Sequence, residues 1–161
     1  MVVTESQSFR GSWIIWVVLM LELPTLALIS VFYFTGKLGE NGWIHLLIVA
    51  GIMGTIIALL LNIRLEIRMD HTTLSFKNPP FMNTWRILKK EDIRYIQVKK
   101  SDGMMEYGGL GVRFLGKTRA YIFLSDQVLI AETDKRKYVF STHKSDQFQK
   151  IIASWESENS N

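Results

Sequence analysis

Hydrophobic residues follow three different rhythms along the chain. From Trp13 to Phe34 (WIIWVVLMLELPTLALISVFYF), 22 residues contain one ionisable side chain, Glu22; from Trp43 to Ile63 (WIHLLIVAGIMGTIIALLLNI), 21 residues contain only His45. At about 1.5 Å of rise per residue, helices of this length reach roughly 30 Å, the thickness of a bilayer's hydrocarbon core. A helical hairpin satisfies its backbone groups internally while facing lipid, so the two runs predict transmembrane helices joined by a tight turn at Gly36–Gly42. From Arg64 the period becomes two. Leu65, Ile67 and Met69 alternate with Glu66, Arg68 and Asp70, the pattern of a half-buried strand following the second helix directly. Further strands are predicted at Thr73–Lys77, Trp85–Leu88, Ile93–Val98, Val112–Leu115, Arg119–Leu124, Gln127–Glu132 and Lys137–Ser141. The third rhythm closes the chain: Phe148, Ile151, Ile152 and Trp155 at i, i+3, i+4 and i+7 predict an amphipathic helix with Ser145 as its N-cap.

These elements predict an α+β fold class, with a transmembrane hairpin followed by an antiparallel β-sandwich or partly open barrel of about seven strands, capped by a C-terminal helix. Residues 1–12 are a polar N-terminal lead expected to be poorly ordered, residues 13–63 the hairpin, residues 64–155 the β domain, and residues 156–161 a polar tail expected to fray. Trp13, Trp16, Tyr33 and Trp43 fall at span ends, where amphipathic rings favour the membrane interface.

Charge adds orientation to this picture. The net charge is +4, and beyond Ile63 there are 17 Lys and Arg against 12 Asp and Glu. Arg10, Arg64, Arg68 and Lys77 flank the spans on one side and Lys37 alone on the other, which places both termini in the cytoplasm. The first run is longer than a signal-peptide core and no A-x-A-like site follows it, so an uncleaved anchor is expected. The basic residues are interspersed with acids, and nucleic acid is not an expected partner. No cysteine is present, which removes disulfides, thiolate chemistry and Cys-based metal sites. No cofactor or metal is expected. His71 and His143 fall in separate turns, and neither H-E-x-x-H nor G-x-S-x-G occurs, so no catalytic residues are assigned.

Inside the hairpin two features call for an account. Glu22 falls near mid-span, where ionisation is costly, and Pro24 frees the carbonyl of Met20; depth matching in an antiparallel hairpin predicts Gly54 and Thr55 as neighbours. Glu22 is then either a proton-responsive or partner-contacting group, or a protonated acid bonded to Thr55 or to a loosened carbonyl. Ala50, Gly54 and Ala58 recur every four residues and form a face for close helix approach, either packing against the first helix or forming a homodimer.

In the β domain, the longest loop, Lys100–Gly111, is the expected seat of binding specificity, with Glu106, Tyr107, Gly108, Gly109, Leu110, Gly111 and Arg113 as candidate partner residues. Gly108, Gly109 and Gly111 permit backbone conformations closed to other residues, which predicts a structural bend leading into the strand at Val112 with Tyr107 packed or hydrogen-bonded nearby and Glu106 paired with Arg113 across it. Arg64, Arg68, Lys89, Lys90, Lys99 and Lys100 are candidates to meet anionic lipid headgroups.

A strand leaving a hairpin as RLEIRMD, the Pro79–Phe81 turn, the Glu91-Asp92-Ile93 approach to a strand, and above all Glu106-Tyr107-Gly108-Gly109-Leu110-Gly111-Val112-Arg113 resemble a family of small bacterial membrane proteins. That family has two transmembrane helices followed by a pleckstrin-homology-like (PH-like) domain. The chain departs from it at Leu110, where the family usually has Trp, and at Ser141-Thr142, where a Gly-Thr pair usually precedes the last helix. The resemblance implies an integral protein of the bacterial cytoplasmic membrane. The expected role is a membrane-anchored scaffold presenting its cytosolic domain to a protein partner, with lipid binding or an accessory place in a larger membrane complex as the alternatives.

Overall fold

The computed structural model of the chain describes residues 1–159. It divides into two compact units: Phe9–Ile63, and Met1–Ser8 together with the chain from Arg64 onward.

The first unit is the helical hairpin, α1 (Trp13–Phe34) and α2 (Gly42–Asn62). Both helices are long and apolar enough to cross a membrane. Ile15, Leu19, Glu22, Leu26 and Ile29 are the half-buried stripe of α1, and Val49, Met53, Ile57 and Leu60 that of α2, so the two helices pack along these faces. Ala50, Gly54 and Ala58 are exposed, and a Cβ on Gly54 would meet nothing within 4 Å. The expected packing of that small-residue face on α1 is therefore not the one adopted: the larger side chains one position away take the contact. At the turn Gly42 is required by space, because a Cβ there would lie 2.8 Å from that of Leu38.

Among the described residues the second unit holds nine strands in two sheets. The first sheet has the order β1-β2-β3-β4, built from Val3–Ser8, Arg64–Met69, Thr73–Asn78 and Met82–Lys89. The polar lead thus contains β1, which pairs antiparallel with β2 from Val3↔Met69 to Ser8↔Arg64. Its backbone ladder and its inward-facing Val3, Glu5 and Gln7 order a segment whose polarity predicts disorder. The second sheet has the order β5-β8-β9-β7-β6, from Ile93–Lys100, Gln127–Thr133, Lys137–Ser141, Thr118–Ile122 and Gly111–Leu115. One turn of 3₁₀ helix at Lys90–Asp92 links the two sheets, and a one-turn helix, α3 (Gly103–Glu106), precedes β6.

Two corrections to the expected sandwich follow. The sheets do not close into a barrel among the described residues, and β7 runs parallel to β9, so the unit is not wholly antiparallel. The core lies between the sheets, where the Phe76 ring meets Phe140, Tyr138 and Tyr121 at centroid distances of 4.8, 5.3 and 5.4 Å. The C-terminal helix α4 (Ser145–Asn159) packs against β5 and β8, burying Phe148, Ile151, Ile152 and Trp155 as their spacing predicts. Trp155 Nε1–H donates to the Asp70 carbonyl at 3.0 Å. The helix continues to Asn159 where a fraying tail was expected from residue 156, and residues 160–161 of that tail lie outside the described residues.

Candidate functional site

The Lys100–Gly111 segment folds back over the outward face of the second sheet. Tyr107 is buried there on Ala120, Ile122, Val128, Ile130 and Val139, with Leu110 partly buried against the same cluster. Gly108, Gly109 and Gly111 have φ of +77°, +118° and +89°, a region that strains any side chain, so the glycines make the turn that returns the chain to β6. Most of the candidate partner motif is thus a cover for apolar sheet surface.

Glu106 is the electrostatic tether of that cover. It accepts from Lys99 Nζ at 2.7 Å, from the Ser101 hydroxyl, and from the Tyr107 hydroxyl at 3.1 Å. The Lys99 ammonium first, and the Ser101 hydroxyl next, hold its carboxyl at about 2 despite some burial. Burial first, and then the bond to Glu106, push the Tyr107 phenol up to about 12. The expected Glu106–Arg113 pair is replaced by the Lys99 bond: the Arg113 guanidinium lies over Gly109, where a Cβ would sit 2.8 Å from Nη2.

Beside this cover opens a groove of about 510 Å³, with Phe123 and Leu124 among its apolar lining and Lys100, Asp102, Asp126 and His143 among its polar lining. Met104, 43% exposed, also lines it, and the adjacent Met105 is 78% exposed. The groove is fixed by backbone bonds, from Ser101 N–H to Asp126 O at 2.9 Å and from Thr142 N–H to Gln127 O at 2.8 Å. Sequence periodicity placed the loop here, but not His143, which belongs to the β9–α4 junction.

That junction is held by a buried polar network that sequence reading missed. Glu5, only 5% exposed, accepts from the Thr142 hydroxyl at 2.6 Å, the His143 backbone N–H at 2.8 Å and Gln7 Nε2 at 2.8 Å. Gln7 also donates to the Ser141 carbonyl at 2.6 Å and accepts from the Ser141 hydroxyl at 2.8 Å. One strand, β1, therefore braces the groove's rim at His143. The signal for it was the alternation of Val3, Thr4, Glu5, Ser6 and Gln7, disguised because the core-facing positions after Val3 are polar.

The six candidate lipid-facing cations do not form one face. Arg64 and Arg68 project from the outward face of the first sheet, and Lys89 shares it through the Thr73↔Lys89 and Ser75↔Arg68 registers. Lys99 and Lys100 belong to β5 of the other sheet, Lys99 being tied to Glu106, and Lys90 lies in the 3₁₀ turn. In the hairpin, Glu22 faces α2 but not Thr55. It lines a cleft with Leu21, Thr25, Val49, Ile52, Met53 and Ile56, while the Thr55 hydroxyl donates to Gly51 of its own helix at 2.7 Å. Oε2 of Glu22 is buried without a hydrogen-bond partner.

Among the described residues no three His, Asp or Glu side chains gather in a way that would hold a metal ion. No protein-family model, curated protein or solved structure matches the chain.

Proposed function

We propose that this chain is a membrane-anchored binding module whose β unit recruits a protein partner at the cytosolic face of a bacterial cytoplasmic membrane. The observation that carries this reading is the groove beside α3, where an apolar floor, a rim of both charge signs and two exposed methionines occur together. Methionine is flexible and polarisable, and it suits a surface that adapts to another protein's side chains. Two sheets packed around a core and followed by one amphipathic helix support a PH-like reading of the unit. The pairing of β1 with β2 supports a topology with both termini on one side, since the strand before the hairpin and the strand after it are neighbours. Arg10, Arg64 and Arg68 support the cytosolic assignment of that side.

The test is site-specific photocrosslinking in native membranes, with a photoreactive residue at Asp126 on the groove and another at Leu115 on β6 as the control. The expected result is one discrete protein adduct from position 126, abolished by Met104→Ser with Met105→Ser and absent from position 115. Recovery of lipid adducts alone, or of the same bands from both positions, overturns the reading.

A further inference from the structure

We propose that the turn between β3 and β4, Asn78–Phe81, is a second membrane contact, with Phe81 inserted at the headgroup and acyl-chain boundary of the leaflet from which Arg64 emerges. The inference rests on the membrane-anchor reading of α1 and α2 and adds to it a contact made by the β unit.

The register of the first sheet carries the argument. Arg64 is the first residue after the second apolar run, and its Cα partner is Ser8, the residue before Phe9, where the helical unit begins. Both arms of the hairpin therefore join the sheet at one end. The β3–β4 turn lies at that same end: Arg64 N–H donates to the Pro79 carbonyl at 2.9 Å, and Asn78 Nδ2 donates to the Arg64 carbonyl at 2.5 Å. Phe81 is two residues beyond Pro79, so its Cα is within about 7 Å of that residue's Cα. The turn is thus bonded to the residue that directly follows the second apolar run.

The chemistry of the turn agrees with that position. Turns favour Gly, Pro, Asn, Asp and Ser, and Asn78-Pro79-Pro80 follows that preference with its one polar side chain buried and engaged with Arg64, whereas Phe81 at the tip does not. Phe81 is 66% exposed. Trp85 of β4 is also exposed, with Lys77 Nζ 4.9 Å from its ring centroid. Exposed Arg64 lies on the adjacent strand at the same end, beside the aromatic tip, while Lys77 is bonded to Glu66 at 2.9 Å and Arg68 pairs with Ser75 further along the sheet. Aromatic rings concentrate at the membrane interface, and neighbouring Arg and Lys meet acidic headgroups there. The occupant this arrangement fits is a bilayer surface carrying anionic lipid.

The absence of cysteine makes the test direct, since one introduced thiol can be labelled alone. Three single-cysteine variants of the full chain, Phe81→Cys, Met20→Cys and Phe114→Cys, carry an environment-sensitive fluorophore in phosphatidylglycerol-containing vesicles, with and without spin-labelled lipid. Met20 lies within α1 and is 74% exposed, and Phe114 lies on β6 and is 67% exposed. The expected result is strong quenching at position 20, quenching at position 81 at least half as deep and greatest with the label near the headgroup, and little at position 114. Quenching at position 81 no greater than at position 114, with position 20 still quenched, overturns the turn contact and leaves the anchor standing. An unquenched position 20 overturns the anchor reading and the turn contact with it.

Discussion

Glu5 and Glu22 are withdrawn from water in different units, and they have opposite surroundings. Glu5 accepts three hydrogen bonds, from Thr142, His143 and Gln7, each 2.8 Å or shorter. Glu22 faces aliphatic side chains and leaves Oε2 without a partner. The first acid organises its neighbours, because two of the three donors that it satisfies, on Thr142 and Gln7, belong to buried residues. The second organises nothing visible within one copy of the chain. A withdrawn glutamate is thus a structural part in one region and a cost in the other, and mutation separates the two cases by sign.

The largest effect is expected at Glu5. Glu5→Ala strands the Thr142 hydroxyl, the His143 N–H and one Gln7 proton, and removing one side of such a buried network costs about 2–4 kcal/mol. Denaturant unfolding of the detergent-solubilised full chain checks this, with Glu5→Gln expected to lose about 1 kcal/mol because its carbonyl oxygen still accepts. If Glu5→Ala unfolds like the parent, the network is ornamental and the contrast with Glu22 disappears. Ser141→Ala follows in size. The Ser141 hydroxyl donates to Gln7 and accepts from the Phe123 N–H at 2.8 Å, so its removal should cost about 1–2 kcal/mol in the same assay.

The difference between these acids also explains what the sequence disclosed. Unbroken apolar length located Trp13–Phe34 and most of α2, and the i, i+3, i+4, i+7 spacing located the face of α4, whose buried positions are apolar. The sequence drew attention to Glu22, an acid in an apolar run, and not to Glu5, an acid among polar residues. β1 was hidden for the same reason: its inward face after Val3 is Glu5 and Gln7, so the period of two carries no hydrophobic contrast. The parallel β7–β9 pair was not legible because alternation reports which face is buried and is silent on strand direction. The spacing of Ala50, Gly54 and Ala58 identified a smooth face, but the packed face is set by Val49, Met53 and Ile57 one position away. At the candidate site the glycine-rich bend with a packed or hydrogen-bonded Tyr107 was legible, while the surface that buries the ring was not, since it is built from sheet residues as distant as Val139.

Glu106 provides an intermediate case, a partly exposed acid with a charged partner. Its carboxyl is held at about 2 in the folded chain against an ordinary value of 4.5. A depressed value means stability that is present above 4.5 and lost as the pH falls towards 2. With about two-fifths of the side chain exposed, screening limits the contribution to below about 1 kcal/mol. The stability difference between the parent and Glu106→Gln should therefore be constant above pH 5, shrink between pH 4.5 and 2, and decrease with added salt. A difference that ignores both pH and salt would assign the cover's stability to Tyr107 burial alone.

Glu22→Leu should produce the smallest change and the opposite sign. Its stripe neighbours on α1 are Leu19 and Leu26, and the cleft it lines is bounded by Val49, Ile52, Met53 and Ile56, so leucine continues an existing apolar surface. The substitution removes an unpartnered polar atom from an apolar span and adds apolar contact, which predicts a gain of up to about 1 kcal/mol in thermal unfolding of the hairpin in detergent. Glu22→Gln keeps an unpartnered polar group and should lie near the parent. A loss of stability in Glu22→Leu would show that the acid has a partner beyond the single chain, and the size of a detergent complex measured for parent and variant would then identify that partner as a second copy or as a different protein.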